Sequence, residues 1–332
     1  MRPLLAVPIF GFVTESPYVE NEFIPRPSMP SANRDRIVGV ALVLLSSFAW
    51  SLNGLYARLL TIDLPTTLAG RAIGTSTMLF VALVFIRGRT TPAVIARNAR
   101  RGIVVIVAGS ICMISFIAAL FHTTVANVTV IYAISPLMAA VLARFLIGDP
   151  IVARTFVAFV TAVVGTIIMV GASFGTSRLL GDLLAVLMSA TFAVVIVEMR
   201  RKPDIDNLTS SLLTSMLTAA VLSPFATFDA IDPWNASILF LFGFTSNVLG
   251  FFLFIAAVRR MPPAEAGLIA TIEIVLAPLW VWIFFTETPA EATFVGGAII
   301  VTAVVFQIVG ELRQGRRMAV AEGLATEVET LR

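Results

Sequence analysis

Runs of about 20 apolar residues alternate along this chain with short joints of proline, glycine, aspartate and arginine. A helix needs roughly 20 residues to cross the hydrocarbon layer of a bilayer, and runs of that size occupy residues 36–60, 66–87, 102–122, 125–147, 152–173, 180–200, 208–228, 235–258, 264–286 and 291–311. The pattern predicts an all-α integral membrane fold with ten transmembrane helices. Joints such as Ile62-Asp63-Leu64-Pro65, Gly148-Asp149-Pro150 and Asp232-Pro233 are mostly too short to hold a soluble domain. Composition agrees: with 58% hydrophobic residues, 13% charged residues and a mean hydropathy of +0.96, the chain has too little polar surface to face water all round.

The pattern is also written twice. Gly39 to Arg58 aligns without a gap on Gly181 to Arg200 at a separation of 142 residues, placing Ser47 on Ser189, Trp50 on Phe192 and Arg58 on Arg200. A second echo, at 138 residues, pairs Ala119, Asn127 and Asp149 with Ala257, Glu265 and Glu287. Ten spans then divide into two five-helix repeats, 36–173 and 180–311. An odd number of spans per repeat makes the second copy enter the membrane from the opposite side. Inverted repeats of this kind point to an alternating-access transporter.

Charge orients the bundle. With the N-terminus inside, the clusters Arg87 to Arg101, Arg200 to Lys202, Arg259-Arg260 and Arg313 to Arg317 all fall on the cytoplasmic side, and both termini are cytoplasmic. Only Arg58, Arg71 and Arg178 lie toward the outside, among Asp63, Asp182, Asp229, Asp232, Glu287 and Glu291. The pI near 9.6 therefore signals topology and contact with anionic lipids, and excludes a nucleic-acid partner from the leading readings. Residues 1–33 are proline-rich and read as a disordered cytoplasmic N-terminus. Leu4 to Val13 imitates a signal peptide without a small-residue cleavage site, and Met29 offers a second start. Residues 312–332 read as a short charged cytoplasmic tail.

The candidate chemistry is sparse. One cysteine, Cys112, and one histidine, His122, exclude an intrachain disulfide and a histidine-based metal cluster. Cys112 reads as a packing residue and His122 as a polar residue at a helix end. No metal or cofactor site is implied, and no GxxxxGK[ST] motif would support primary pumping.

Glu273 lies about ten residues into the ninth span, near the bilayer midplane, where an ionised carboxylate is expensive and a protonated one is not. That suits a group that trades a proton for substrate; the bland alternative is a carboxyl buried in helix packing. Subtracting 138 carries Ala270, Glu273 and Ala277 onto Tyr132, Ser135 and Ala139 in the fourth span. Pro136 and Pro278 each remove a helical hydrogen bond and strain the carbonyl four residues back, at Tyr132 and Ile274. Such carbonyls either line a wet cavity or mark a plain kink. In the first span Trp50 and Asn53 belong to the densest polar and aromatic run of any helix, and Asn53 must hydrogen-bond a neighbouring helix or a substrate.

Arg71 can snorkel outward or pair with Asp63; an anion-binding role and an ion pair with Glu273 are the alternatives. Trp280 sits two turns from Glu273 on its face, as a belt residue or a cavity wall. Asn127 and Glu265 are repeat equivalents suited to gating, although Glu265 beside Arg259 and Arg260 reads first as an interfacial ion pair, as does Glu198 with Arg201 and Lys202.

These residues carry a family resemblance. Over residues 37–310 the chain resembles the EamA-type, ten-helix members of the drug/metabolite transporter superfamily. The marks are the Gly39 to Arg58 entry helix, Pro136 with Asp149 thirteen residues on, and Ala277 to Trp282 before Glu287-Thr288-Pro289. Family repeats place a proline thirteen residues before a glutamate. Here the first copy has Asp149 instead, and the second has Ile274 at the proline position with the proline moved to 278. The resemblance implies transport of a small organic metabolite, such as an amino acid or amphipathic amine, through a cavity between the halves. The expected protein is a secondary exporter of the bacterial inner membrane, not an enzyme, with protons as coupling ion at Glu273. An uncoupled facilitator and an intramembrane lipid-modifying enzyme are the alternatives, and a homodimer is compatible with the sequence.

Overall fold

The computed structural model describes residues 29–148, 153–173, 175–260, 266, 269–270, 272–307 and 309–310, with the backbone alone for 29–36 and 89. Every regular element among them is helical. In chain order these are α1 (Met29–Ser51), α2 (Asn53–Leu59), α3 (Leu64–Arg87), α4 (Thr91–Arg101), α5 (Ile103–His122), α6 (Val125–Tyr132), α7 (Ser135–Leu146), α8 (Ala153–Ala172), α9 (Leu179–Arg201), α10 (Asn207–Leu222), α11 (Pro233–Gly243), α12 (Gly250–Val258), α13 (Glu273–Phe285) and α14 (Glu291–Gln307).

Eight helical stretches are long and apolar enough to cross a membrane, running from Ile37–Leu59 to Pro233–Val258, and they coincide with the first eight predicted spans. The ninth and tenth are described as the shorter apolar helices α13 and α14. Residues 149–152, Glu265 and 311–332 lie outside the described residues, and with them Asp149 and the tail. At the other end α1 begins at Met29, taking in the last residues of the stretch expected to be disordered. Pro30 stands in its first turn, where a proline forfeits no helical hydrogen bond.

The polar joints work as helix caps. Asp63 accepts the Thr66 N–H at 3.1 Å, Asp206 that of Thr209 at 2.9 Å and Asp232 that of Asn235 at 2.8 Å, with Pro65 and Pro233 in the first turns of α3 and α11. Each such cap is worth about 1 kcal/mol. One joint is more ordered than expected: residues 91–101 form α4, an amphipathic helix between the second and third spans. Its Asn98 is buried and donates to the Ser210 hydroxyl (2.8 Å) and the Asp206 carbonyl (3.0 Å), docking the helix on the start of α10.

Helix packing follows the repeat. The entry helix α1 packs on α12 and α13, spans eight and nine; its echo α9 packs on α5 and α7, spans three and four; and α3 packs on α10, spans two and seven. Exchanging the two copies maps each contact onto another. The echoed serines behave alike as well: Ser47 and Ser189 are both fully buried and both donate to the carbonyl one turn back, at 2.9 Å. Spans five and ten meet through glycine, where a Cβ on Gly296 would stand 2.5 Å from the Gly165 carbonyl oxygen. Large apolar side chains such as Phe85, Phe156, Ile167 and Phe284 point outward and are exposed, as expected of surfaces that meet lipid.

Candidate functional site

A cavity of about 280 Å³ lies at the centre of the bundle. Eight predicted spans contribute to its wall, one through four from the first copy and six through nine from the second. Trp50, Asn53, Arg71, Tyr132 and Glu273 all line it.

Two matched interruptions place the polar groups. In the fourth span the helix tightens at Ala133 and Ile134, where Ile134 N–H donates to the Ile131 carbonyl three residues back (3.2 Å), and α7 starts at Ser135. In the ninth span Ile272 N–H donates to Ile269 in the same way (3.1 Å), and α13 starts at Glu273. Ser135 and Glu273 are thus the first residues of equivalent half-helices. A carboxylate in a first helical turn faces the positive end of the peptide dipoles. The prolines differ: Pro136 opens α7, whereas Pro278 lies inside a continuous α13. The Tyr132 carbonyl that Pro136 strips of its helical donor accepts the Ser135 hydroxyl, so the half-helix satisfies itself. Ser135, Tyr132, Pro136 and Glu273 also line a small neighbouring void of about 30 Å³, large enough for one water.

Asn53 meets a neighbouring helix, accepting from the Ser246 hydroxyl. Trp50 donates its indole N–H to the Ser246 carbonyl at 2.9 Å and packs against Phe254, ring centroids 5.4 Å apart. It can do so only because residue 250 is glycine, where a Cβ would stand 2.5 Å from the indole nitrogen. The Tyr132 and Phe192 rings pack at 5.3 Å. Trp280 is placed differently: its indole N–H donates to Ser51 Oγ at 2.8 Å and its ring meets Phe48 edge-on, fastening α13 to α1 outside the cavity lining.

Arg71 neither snorkels nor pairs with Asp63. It is 4% exposed, with its guanidinium carbon 4.5 Å from the centre of the Phe242 ring. Asp63 is engaged with Thr66, whose backbone N–H and hydroxyl occupy its two carboxylate oxygens.

Beyond the Arg71 end of the cavity a polar network joins the helix ends. Arg58 pairs with Glu287 at 2.9 Å and donates to the Thr123 carbonyl at 2.8 Å, while Glu287 accepts the Val125 N–H at 2.9 Å and so caps α6. Next to it Asp182, fully buried, accepts from Thr123 Oγ1 (2.6 Å), Asn127 Nδ2 (2.9 Å) and the Ser173 hydroxyl; Thr293 donates to the Asn127 side-chain oxygen.

The profile of the EamA-like transporter family matches residues 37–171 and matches again over 179–309. The chain belongs to the EamA-like transporter family. This multi-pass membrane protein is 23% identical over 291 residues to the S-adenosylmethionine uptake transporter of Rickettsia felis (strain ATCC VR-1525 / URRWXCal2), an alignment covering 85% of this chain and 96% of the relative. It also superposes on a solved crystal structure with a TM-score of 0.55 at 19% identity, over 84% of this chain and 97% of that one, a likeness of fold.

Two parts of this EamA-like transporter's cavity escaped the sequence reading. Ser246 and Asn247 line it from a π-helical turn, Phe244–Leu249, that interrupts the eighth span. The polar triplet Thr245-Ser246-Asn247 inside an apolar run was the available signal. The other is Cys112, which lines the cavity beside Phe116 and Tyr132. Asn127 takes its place in the Asp182 network, and Glu198 pairs with Lys202 at 3.0 Å and Arg201 at 3.6 Å.

Proposed function

We propose that this protein is a secondary transporter of a small organic metabolite that works by alternating access, with two inverted five-helix halves and Glu273 exchanging a proton. The observation that carries the reading is Glu273 itself, standing on the wall of the central cavity at the start of a half-helix whose counterpart opens with Ser135. In a cavity this apolar, a proton and a cationic substrate group compete for one carboxylate, and that exclusion couples their movements. Trp50, Asn53, Arg71, Tyr132 and Ser135 complete the substrate and proton site, and the interrupted spans supply the places where the halves hinge.

The protein resides in a bacterial inner membrane with both termini cytoplasmic. Cavity lining extends to Val105, Met199 and Ser210, near Arg100 and Arg101 at the end of α4 and Arg200 and Arg201 at the end of α9, while the Arg58 end is tied by the Glu287 and Asp182 networks. This supports a state closed to the outside and reached from the cytoplasm. Proton antiport down an inward gradient then drives export. The Rickettsia relative's named activity favours uptake as the second reading.

The test is flux in proteoliposomes, with radiolabelled S-adenosylmethionine and a panel of amino acids as first probes. Glu273→Gln is expected to abolish accumulation driven by a pH gradient while leaving downhill exchange and making it insensitive to pH. A variant that keeps the wild-type rate and pH dependence shows that Glu273 does not couple protons.

A further inference from the structure

We infer that Arg71 is a carboxylate subsite of the central cavity, so that the transported molecule carries a carboxylate together with a cationic or protonatable group; this rests on the transport reading above. Arg71 lines the cavity, yet its Nε and Nη1 are buried without a hydrogen-bond acceptor. One turn away on the same face of α3, the Thr67 hydroxyl is buried and equally unmet. A guanidinium taken out of water costs heavily unless its charge and its donors are matched.

The protein's own carboxylates near this end are committed elsewhere: Asp63 to Thr66, Glu287 to Arg58 and Val125, Asp182 to Thr123, Asn127 and Ser173, Asp232 to Asn235. No ion pair joins Arg71 to any acidic side chain among the described residues. The Phe242 ring lies 4.5 Å from the guanidinium carbon, a cation–π contact that takes up none of its donors. A carboxylate oxygen is the acceptor that would match both the charge of the guanidinium and an unmet donor.

Charge selects carboxylate over phosphate. Among the described residues lining the cavity Arg71 is the one basic side chain, and Glu273 shares the same space, so a dianion would be half neutralised and repelled. Glu273 and the ring faces of Trp50, Tyr132 and Phe192 suit the ligand's cationic end. A small zwitterion satisfies both ends at once, whereas an amphipathic amine would leave Arg71 unmatched.

Thermal melts of the full chain in detergent test this with phenylalanine, 3-phenylpropionate, phenylalaninamide and inorganic phosphate as probes. The two carboxylates are expected to raise the melting temperature with concentration, and the amide and phosphate are not. Arg71→Gln should weaken the carboxylate response at least about tenfold, with Arg71→Lys in between because it keeps the charge and loses the planar set of donors. Ligand-free Arg71→Gln should melt no lower than wild type, since it removes an unmatched buried charge. As a second readout, phenylalanine should slow alkylation of Cys112, the sole cysteine, by N-ethylmaleimide in wild type but not in Arg71→Gln.

The inference is overturned if the amide or phosphate stabilises as well as the acids, if no probe binds, if Arg71→Gln keeps the wild-type response, or if Arg71→Gln and Arg71→Lys both lower the ligand-free melting temperature. These are binding readouts. Carboxylate binding without flux would sink the transport reading and leave the subsite standing.

Discussion

At the Arg58 end of the bundle Asp182 has no exposed surface and takes hydrogen bonds from three side chains, whereas at the Arg101 end Asp204 keeps 43% of its side chain in solvent and pairs with an arginine that is 59% exposed. Both are aspartates tying neighbouring spans together. Their surroundings give the ties different strengths. A buried carboxylate that loses its donors cannot turn to water, so the Asp182 network opens as a unit. Exposed pairs exchange their partners for water at little cost. The Asp182 tie is therefore costly to break and the Asp204 tie cheap.

The largest expected effect breaks this comparison at its strong end. Asp182→Ala leaves Thr123, Asn127 and Ser173 with unmet donors in a buried site and should cost about 3–5 kcal/mol, summed over three donors at about 1–3 kcal/mol each, read as a large fall in melting temperature and the loss of wild-type flux. Asp182→Asn keeps the shape and one acceptor, and should fall between. A drop no larger than that for an exposed pair would show that water reaches this end freely.

Arg58 and Glu287 stand between the extremes, at 22% and 20% side-chain exposure. Glu287→Gln keeps an acceptor for Val125 N–H but removes the charge opposite Arg58, and should cost about 1–2 kcal/mol. Under the proposed closure of this end to the outside, the variant should also let a membrane-impermeant thiol reagent added outside reach Cys112 faster than in wild type. Unchanged labelling would separate this ion pair from closure.

The strong end was harder to foresee than the spans. Apolar run length alone placed 66–87 on Leu64–Arg87 and 102–122 on Ile103–His122, because hydrocarbon thickness sets both. The echo at 138 residues found Ser135 and Glu273 as a pair, since equivalent sequence positions begin equivalent half-helices. Asp182 shows the limit. Ser173 is nine residues away, but its other two partners lie 55 and 59 residues away at Asn127 and Thr123, and Thr293 joins the network from 166 residues beyond Asn127. Local pattern carries no trace of contacts made by packing several helices together. Arg71 misled for a related reason: Asp63 is close in sequence, but its carboxylate is consumed as the cap of its own helix. The amphipathic α4 and the π-turn of the eighth span were each readable in part, from arginines spaced among apolar residues and from a polar triplet, but neither alters the length signal that dominates a membrane sequence.

The smallest effect lies at the weak end. The Arg101 guanidinium, hydrogen-bonded to Asp204, holds that carboxyl below its ordinary range. A depressed carboxyl adds stability only above its unfolded pKa of about 3.9, and loses it as pH falls through the lower folded value. From about pH 6 to 8 the contribution is constant, and solvent screening keeps it small. Asp204→Asn should therefore change stability by less than about 0.5 kcal/mol at physiological salt, with no change in the pH dependence of melting over that range. A fall approaching that of Asp182→Ala would mean that the α9–α10 connection is locked too, and that the two ends differ in exposure but not in strength.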